Sequence, residues 1–262
     1  MASLFYEPST RTRLSFESAM IRLGGDVIST ENAKEFSSAA KGETLEDSIR
    51  VVGNYADVIA LRHPENDAAE RAAKVSKVAI INAGSGAGQH PTQALLDVYT
   101  IRRELGEVDG LKIAMVGDLK HGRTVRSLAY LLGKFKDVVI YFVSPPELQI
   151  GEDIKKYLHA HNINYAEYEN IETILRDVDV LYQTRIQKER FADPAQYEKF
   201  KGVYRITKQL AQTMQEKSII MHPLPRVDEI LPEVDESPNA VYFKQTYYGL
   251  LIRMAILKFI FV

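Results

Sequence analysis

Short apolar runs alternate with amphipathic stretches along most of this chain. That is the rhythm of strands buried in a parallel sheet between covering helices. Ser3–Tyr6, Val58–Leu61, Val78–Ile81, Lys112–Val116, Val138–Val143, Val180–Tyr182 and Ser218–Met221 read as strands, most of them rich in Val and Ile. Between them, Thr10–Leu23 gathers Leu14, Phe16, Met20, Ile21 and Leu23 on roughly one side, with Ser9 placed to cap it. Thr44-Leu-Glu-Asp47 resembles a capping box with Asp in place of Glu. Pro91 opens a helix over Thr92–Leu105, which Gly106 ends. The C-terminal Gly249–Val262 is almost uniformly apolar and reads as a buried helix. It is shorter than the about 20 residues a membrane span needs, and it carries Arg253 and Lys258.

These elements predict an α/β protein with two doubly wound parallel-sheet domains joined by long helices. The first, with its linking helix, spans 1–105, the second 106–241, and 242–262 returns to the first. Ligands of such folds bind at the C-terminal edges of the strands, so a cleft is expected there. With 33 basic and 35 acidic residues, 26% charged and 45% hydrophobic, the composition excludes a disordered chain and a strongly basic nucleic-acid binder. No Cys is present, which excludes disulfides and thiolate zinc sites and fits a reducing, cytoplasmic setting. Glu7, Arg11 and Arg13 interrupt any apolar signal core at the start. The six His residues suggest no metal site, and no cofactor is implied.

The chemistry-bearing residues cluster where strands end. Ser9-Thr10-Arg11-Thr12-Arg13 would bring hydroxyls, guanidiniums and free N–H groups to a helix N-terminus, a setting for a phosphate dianion. A plain Ser cap with solvated arginines fits the same residues. Gly117-Asp-Leu-Lys-His-Gly122-Arg123-Thr124 has the P-loop spacing with Arg in place of Lys, so a nucleotide-binding P-loop is an alternative. Arg62-His-Pro64 ends a strand. His90 stands at a helix start after the Gly-rich Gly84–Gly88, where an imidazole can donate to a carbonyl. Lys41 follows a small-residue loop. Arg185 and Gln187, two apart, would point the same way in extended chain and suit a carboxylate. His222-Pro-Leu-Pro225-Arg226 makes a rigid turn in which Leu224–Pro225 is a candidate cis bond.

Taken in order, Phe5–Arg13, Lys41–Thr44, Arg62–Pro64, Gln89–Gln93, Gly122–Thr124, Thr184–Gln187 and His222–Arg226 resemble the catalytic chains of the aspartate/ornithine carbamoyltransferase superfamily, on the aspartate branch. The likeness runs from Leu4 to about Arg253. The ornithine enzymes read His-Cys-Leu-Pro where this chain has Pro223. The resemblance implies transfer of a carbamoyl group from carbamoyl phosphate to L-aspartate, the committed step of pyrimidine synthesis. It implies that Ser9, Thr10, Arg11 and Thr12 hold the phosphate. Thr12, Arg62 and His90 would polarise the carbonyl, and Gln93 would bind the carbamoyl amide. Arg123, Arg185 and Gln187 would hold the aspartate carboxylates, and Leu224 would offer its backbone carbonyl. Lys41 and a Ser at Ser37 or Ser38 would reach in from a neighbouring subunit, which implies a homotrimer with shared sites and leaves room for regulatory chains. The Arg of Gly122-Arg-Thr124 then stands as a substrate arginine. Catalysis would rest on orientation and domain closure.

One departure stands out. Family members carry roughly 40–50 further residues before this start, enough for about two helices and part of a strand. The first domain is therefore expected to be truncated and the apolar C-terminal helix to expose a patch. A fragmentary or non-catalytic relative that acts only in assembly is the corresponding alternative.

Overall fold

In the computed structural model, which describes residues 1–36, 38–86, 89–187, 191 and 193–262, the chain forms two compact units. Unit 1 comprises Met1–Leu96 and Thr246–Val262, and unit 2 comprises Asp97–Gln245. The divisions fall inside two helices. Ile101 of Pro91–Leu105 packs in a core of unit 2, whereas Leu250 and Leu257 of Tyr242–Phe261 pack in a core of unit 1.

Unit 1 holds a four-stranded parallel sheet in the order β2-β1-β3-β4, from β1 (Ala2–Phe5), β2 (Ile28–Glu31), β3 (Val58–His63) and β4 (Ala79–Ser85). Its helices are α1 (Thr10–Arg22), α2 (Ala33–Phe36), α3 (Leu45–Val52), α4 (Ala68–Val75), the start of α5 (Pro91–Leu105) and most of α10 (Tyr242–Phe261). Successive strand residues serve opposite faces. Val58 and Ala60 join Phe5, Phe16 and Leu257 on one side, while Ile59 and Leu61 join Leu4, Leu45 and Ile49 on the other. A strand buried on both faces must be apolar at every position, which is why these strands were visible as continuous runs.

Unit 2 repeats the plan with five parallel strands in the order β7-β6-β5-β8-β9. These are β5 (Lys112–Val116), β6 (Val139–Val143), β7 (Asn164–Tyr168), β8 (Val180–Gln183) and β9 (Ile219–Met221). Its further helices are α6 (Arg123–Leu132), α7 (Glu152–Ala160), α8 (Pro194–Phe200) and α9 (Lys208–Ala211). Ile113 and Met115 face one core, and Ala114 and Val116 face the other.

The seven strands read from sequence are all present. The two not foreseen, β2 and β7, are edge strands with largely exposed or half-buried positions, so they lack an apolar run. Thr44 caps α3 by accepting the Asp47 N–H at 3.2 Å. Ser9 occupies the N-cap position of α1, but its hydroxyl makes no capping bond, contrary to expectation. The helix expected to be buried at the C-terminus is buried on one stripe only. Leu257 is fully buried, while Phe259 is 87% exposed. No helix among the described residues is long and apolar enough to cross a membrane.

Candidate functional site

In unit 1 the parallel pairing lines up strand ends. Phe5 of β1 lies in register with Arg62 of β3, and the Tyr6 N–H donates to the Arg62 carbonyl at 2.9 Å. The turn into α1 therefore leaves the sheet beside Arg62. Between Leu61 and His63 the register with β4 slips by one residue, a bulge that falls at Arg62. Beyond it, the Gly86 N–H donates to the His63 carbonyl at 2.9 Å, tying the loop after β4 to the end of β3. His90 closes this edge. Its carbonyl accepts the Gln93 and Ala94 N–H groups at the first turn of α5.

Arg62, His90, Gln93 and Thr12 are all buried, whereas Thr10 and Arg11 are exposed and Ser9 is half-buried. Arg62 Nε lies 3.5 Å from a carboxylate oxygen of Glu7. Glu7, to which the motif reading gave no role, lies within the same Phe5–Arg13 segment and is brought to Arg62 by the fold. The first turn of α1 holds no acidic residue, which leaves its positive end suited to an anion. His63 is structural. Its Nδ1 accepts the Glu65 N–H at 3.2 Å, its ring lies 4.7 Å from that of Tyr6, and burial holds its pKa below the usual histidine value. Lys41 is exposed at the end of a 3-10 turn, Ser38–Lys41. Ser37 lies outside the described residues, as do positions 87 and 88 of the Gly-rich segment.

In unit 2 the turn from β5 to α6 has the spacing of a P-loop and a different interior. Four of its amides are engaged within the fold. Gly117 N–H donates to Val143, Leu119 and Lys120 donate to the Leu148 carbonyl, and His121 N–H donates to Asp118 Oδ1 at 3.0 Å. Asp118 is fully buried, and its carboxylate also lies 3.1 Å from His121 Nδ1. A buried carboxylate at that place repels a phosphate. Both glycines answer to packing. A Cβ on Gly117, at φ +120°, would lie 2.4 Å from the Thr184 carbonyl oxygen, and one on Gly122 would lie 2.5 Å from that of Asp118. Nucleotide binding through this loop is thereby set aside.

Arg123 stands at the first position of α6, half-buried. A cavity of about 250 Å³ opens past the end of β8, with Thr184, Arg185, Tyr197, Lys201, Asp228 and Glu229 on its wall. Gln187, half-buried two residues beyond Arg185, is not on that wall. Tyr197 and Lys201 come from α8 and the turn after it, and no motif in the sequence pointed to them. Tyr204, also on the wall, has its hydroxyl pKa pushed up to about 12, by burial first and by Glu169 second.

The turn after β9 contains the cis Leu224–Pro225 bond expected from sequence, and Leu224 adopts φ +49°. Arg226 is tied to both carboxylate oxygens of Asp235 and to the Tyr242 hydroxyl, and it lies over the Tyr242 and Phe243 rings. It anchors this turn within unit 2.

Comparison with known proteins adds the family context. Residues 1–103 match the family described as aspartate/ornithine carbamoyltransferase, carbamoyl-P binding domain, and residues 109–260 match its Asp/Orn binding domain. The chain is 59% identical to aspartate carbamoyltransferase 3, chloroplastic, of Pisum sativum, over all of this chain and 67% of that protein. It is also 59% identical to the aspartate carbamoyltransferase catalytic subunit of Methanocaldococcus jannaschii, over 98% of this chain and 83% of that one. The solved catalytic subunit of M. jannaschii aspartate transcarbamoylase superposes with a TM-score of 0.91, covering 98% of this chain and 83% of that chain. An aspartate transcarbamoylase from Trypanosoma cruzi in complex with N-(phosphonacetyl)-L-aspartic acid gives 0.92 at 46% identity, covering 98% and 82%.

Proposed function

The chain belongs to the aspartate/ornithine carbamoyltransferase family, and from that premise we propose that it transfers the carbamoyl group of carbamoyl phosphate to the amino group of L-aspartate. The products are N-carbamoyl-L-aspartate and phosphate, and the step belongs to de novo pyrimidine biosynthesis. The observation that carries this reading is 59% identity to the M. jannaschii catalytic subunit across nearly the whole chain. The motif residues of both units are present alongside it. T. cruzi relatives have been solved in complex with carbamoyl phosphate and with aspartate.

The charges explain why the two sets of residues are needed. The substrates bring roughly four negative charges together, which repel strongly unless paired. Arg11 and Arg62 in unit 1 and Arg123 and Arg185 in unit 2 supply countercharge, with Lys41 as a further cation. Ser9, Thr10, Arg11 and Thr12 hold the phosphate at the N-terminus of α1, and Gln93 takes the carbamoyl amide. Arg123, Arg185 and Gln187 hold the two carboxylates of aspartate, and the Leu224 carbonyl accepts from its amine. The neutral amine attacks the carbamoyl carbon. The oxygen then gains negative charge, which Thr12, Arg62 and His90 stabilise, at about 3–4 kcal/mol per well-placed donor. The C–O bond to phosphate breaks, and the departing phosphate takes the amine proton. No covalent enzyme intermediate is required.

The proposal extends to a homotrimer in which Lys41 and Ser37 or Ser38 serve the neighbouring chain's site. The exposure of Lys41 and the name "catalytic subunit" of the archaeal relative support it. Regulatory chains are compatible with that name. Cytoplasmic action is also part of this reading, although the plant relatives are named chloroplastic.

A carbamoyltransferase assay beside light scattering tests the whole. Turnover in a trimer is expected, and a folded trimer without turnover overturns the activity. Mixing inactive Lys41→Ala and Arg62→Ala chains tests sharing. Partial recovery is expected, because a hybrid trimer can hold one intact site. No recovery in a confirmed mixed trimer overturns it.

A further inference from the structure

The turn from His222 to Glu229 in unit 2 is organised by its own histidine. His222 is 2% exposed, and its Nδ1 accepts the backbone N–H of Leu224 at 2.8 Å. A ring nitrogen that accepts an N–H carries no proton, so the hydrogen-bond network assigns the neutral Nε2–H tautomer. Nε2 donates to Oε1 of Glu229 at 2.7 Å. The other oxygen of Glu229 accepts the N–H groups of Val227 and Asp228, both at 3.1 Å. Burial pushes the Glu229 carboxyl pKa up. The bonds from His222 and the backbone outweigh burial and hold it below its ordinary value, so it remains an acceptor.

The start of the turn is held as firmly. The His222 N–H donates to Gln245 at 3.1 Å, Gln245 donates to Asp97 at 2.6 Å, and the Tyr182 hydroxyl donates to the same carboxylate at 2.8 Å. All four side chains are buried. The residue caught between these anchors is Leu224, at φ +49°, a conformation that a leucine holds only when its surroundings impose it. Val227, Asp228 and Glu229 are also wall residues of the cavity that contains Arg185.

We infer that His222 is a positioning residue for aspartate: oriented by Glu229, it fixes Leu224 in the left-handed conformation that presents its carbonyl to the amino group of the substrate. The inference rests on the carbamoyl-transfer reading above, which gives the Leu224 carbonyl its role, and adds His222 and Glu229 as the groups that hold that carbonyl in place. His222 itself contacts no substrate. Its effect passes through the Leu224 amide and the cavity wall.

Two isosteric substitutions separate the two ring nitrogens. In His222→Asn the side-chain oxygen can stand where Nδ1 stands and accept the Leu224 N–H. In His222→Gln the amide nitrogen can reach Glu229, but nothing accepts from Leu224. The expected result is a KM for L-aspartate raised about tenfold or more in His222→Gln, with a smaller change in kcat, and recovery of most of that loss in His222→Asn. Carbamoyl phosphate affinity, measured separately, is expected to stay within about twofold of wild type in both.

Glu229→Gln is expected to raise the aspartate KM as well. A glutamine cannot accept from the ring and from both amides at once. It decides the question if His222→Gln does not fold. An active wild type with an unchanged aspartate KM in the folded variant overturns the inference alone. So does an equal loss in the Asn and Gln variants without a KM component. A wild type that transfers no carbamoyl group overturns the underlying reading and this inference with it.

Discussion

After β1 the chain enters α1 through Ser9, and after β5 it enters α6 through Gly122. Both turns leave the C-terminal edge of a parallel sheet, and both put an arginine in the first helical turn. They differ in what becomes of the donors. At Ser9 the first helical turn contains no carboxylate and the hydroxyl makes no capping bond. In the 117–122 turn Asp118 is fully buried and takes the His121 N–H, while Leu148 takes two more amides. In the first junction the Glu7 carboxylate lies against Arg62 and the helix end holds no acidic residue, which suits it to an external anion, whereas in the second the Asp118 carboxylate takes the turn's own amide. An anion site is thus defined by the donors that remain after folding, not by glycine spacing.

The contrast can be broken most directly in unit 1. Arg62→Ala is expected to lower kcat by about 100-fold or more while circular dichroism and the melting profile stay near wild type. Near-normal turnover would remove Arg62 from the site. In unit 2, Asp118→Ala is expected to act on stability instead. It leaves the half-buried His121 amide without its Asp118 acceptor, a cost of about 1 kcal/mol in denaturant titration. Carbamoyl phosphate affinity is expected to hold. Lost affinity at unchanged stability would make this turn an anion site after all.

A pH titration sharpens the comparison further. The Arg226 hydrogen bonds hold the Asp235 carboxyl below its ordinary pKa, ahead of an opposing burial effect. The folded-state value is depressed. Its stabilising contribution is therefore complete above the unfolded value near 4 and is lost as pH falls through the lower folded value. Asp235→Asn is expected to flatten that acid limb. An unchanged slope below about pH 4 would show that the pair contributes nothing.

The smallest effect is expected from Ser9→Ala. A capping serine would cost about 1 kcal/mol on removal. Ser9 caps nothing, so stability is expected to change by less than about 0.5 kcal/mol while phosphate affinity weakens. A full capping loss in the melting curve would reverse that assignment.

Much of the scaffold was legible in the chain. Strands β3, β5, β6, β8 and β9 are buried on both faces or nearly so, and burial on both faces demands an unbroken apolar run. Edge strands β2 and β7 face fewer apolar neighbours, carry mixed residues such as Ser29 and Glu167, and left no such run. Several candidate site residues were legible for a related reason. Ser9, Arg62, His90, Arg123, Arg185 and Leu224 all follow or end strands, and parallel pairing gathers strand ends on one edge of each sheet.

The sequence by itself determined which residues end the strands and which carry charge there, because side-chain period and hydrophobic runs are local properties. The tertiary structure decided which of those polar groups are already spoken for. Asp97 meets Tyr182 85 positions away and Gln245 148 positions away, and Thr184 closes on Val116 68 positions back. Buried donors and acceptors must find partners, and at these separations the partner is chosen by the packing of distant elements. That is why the glycine-spaced turn resembled a phosphate loop on the page and became, once folded, a closed turn around Asp118.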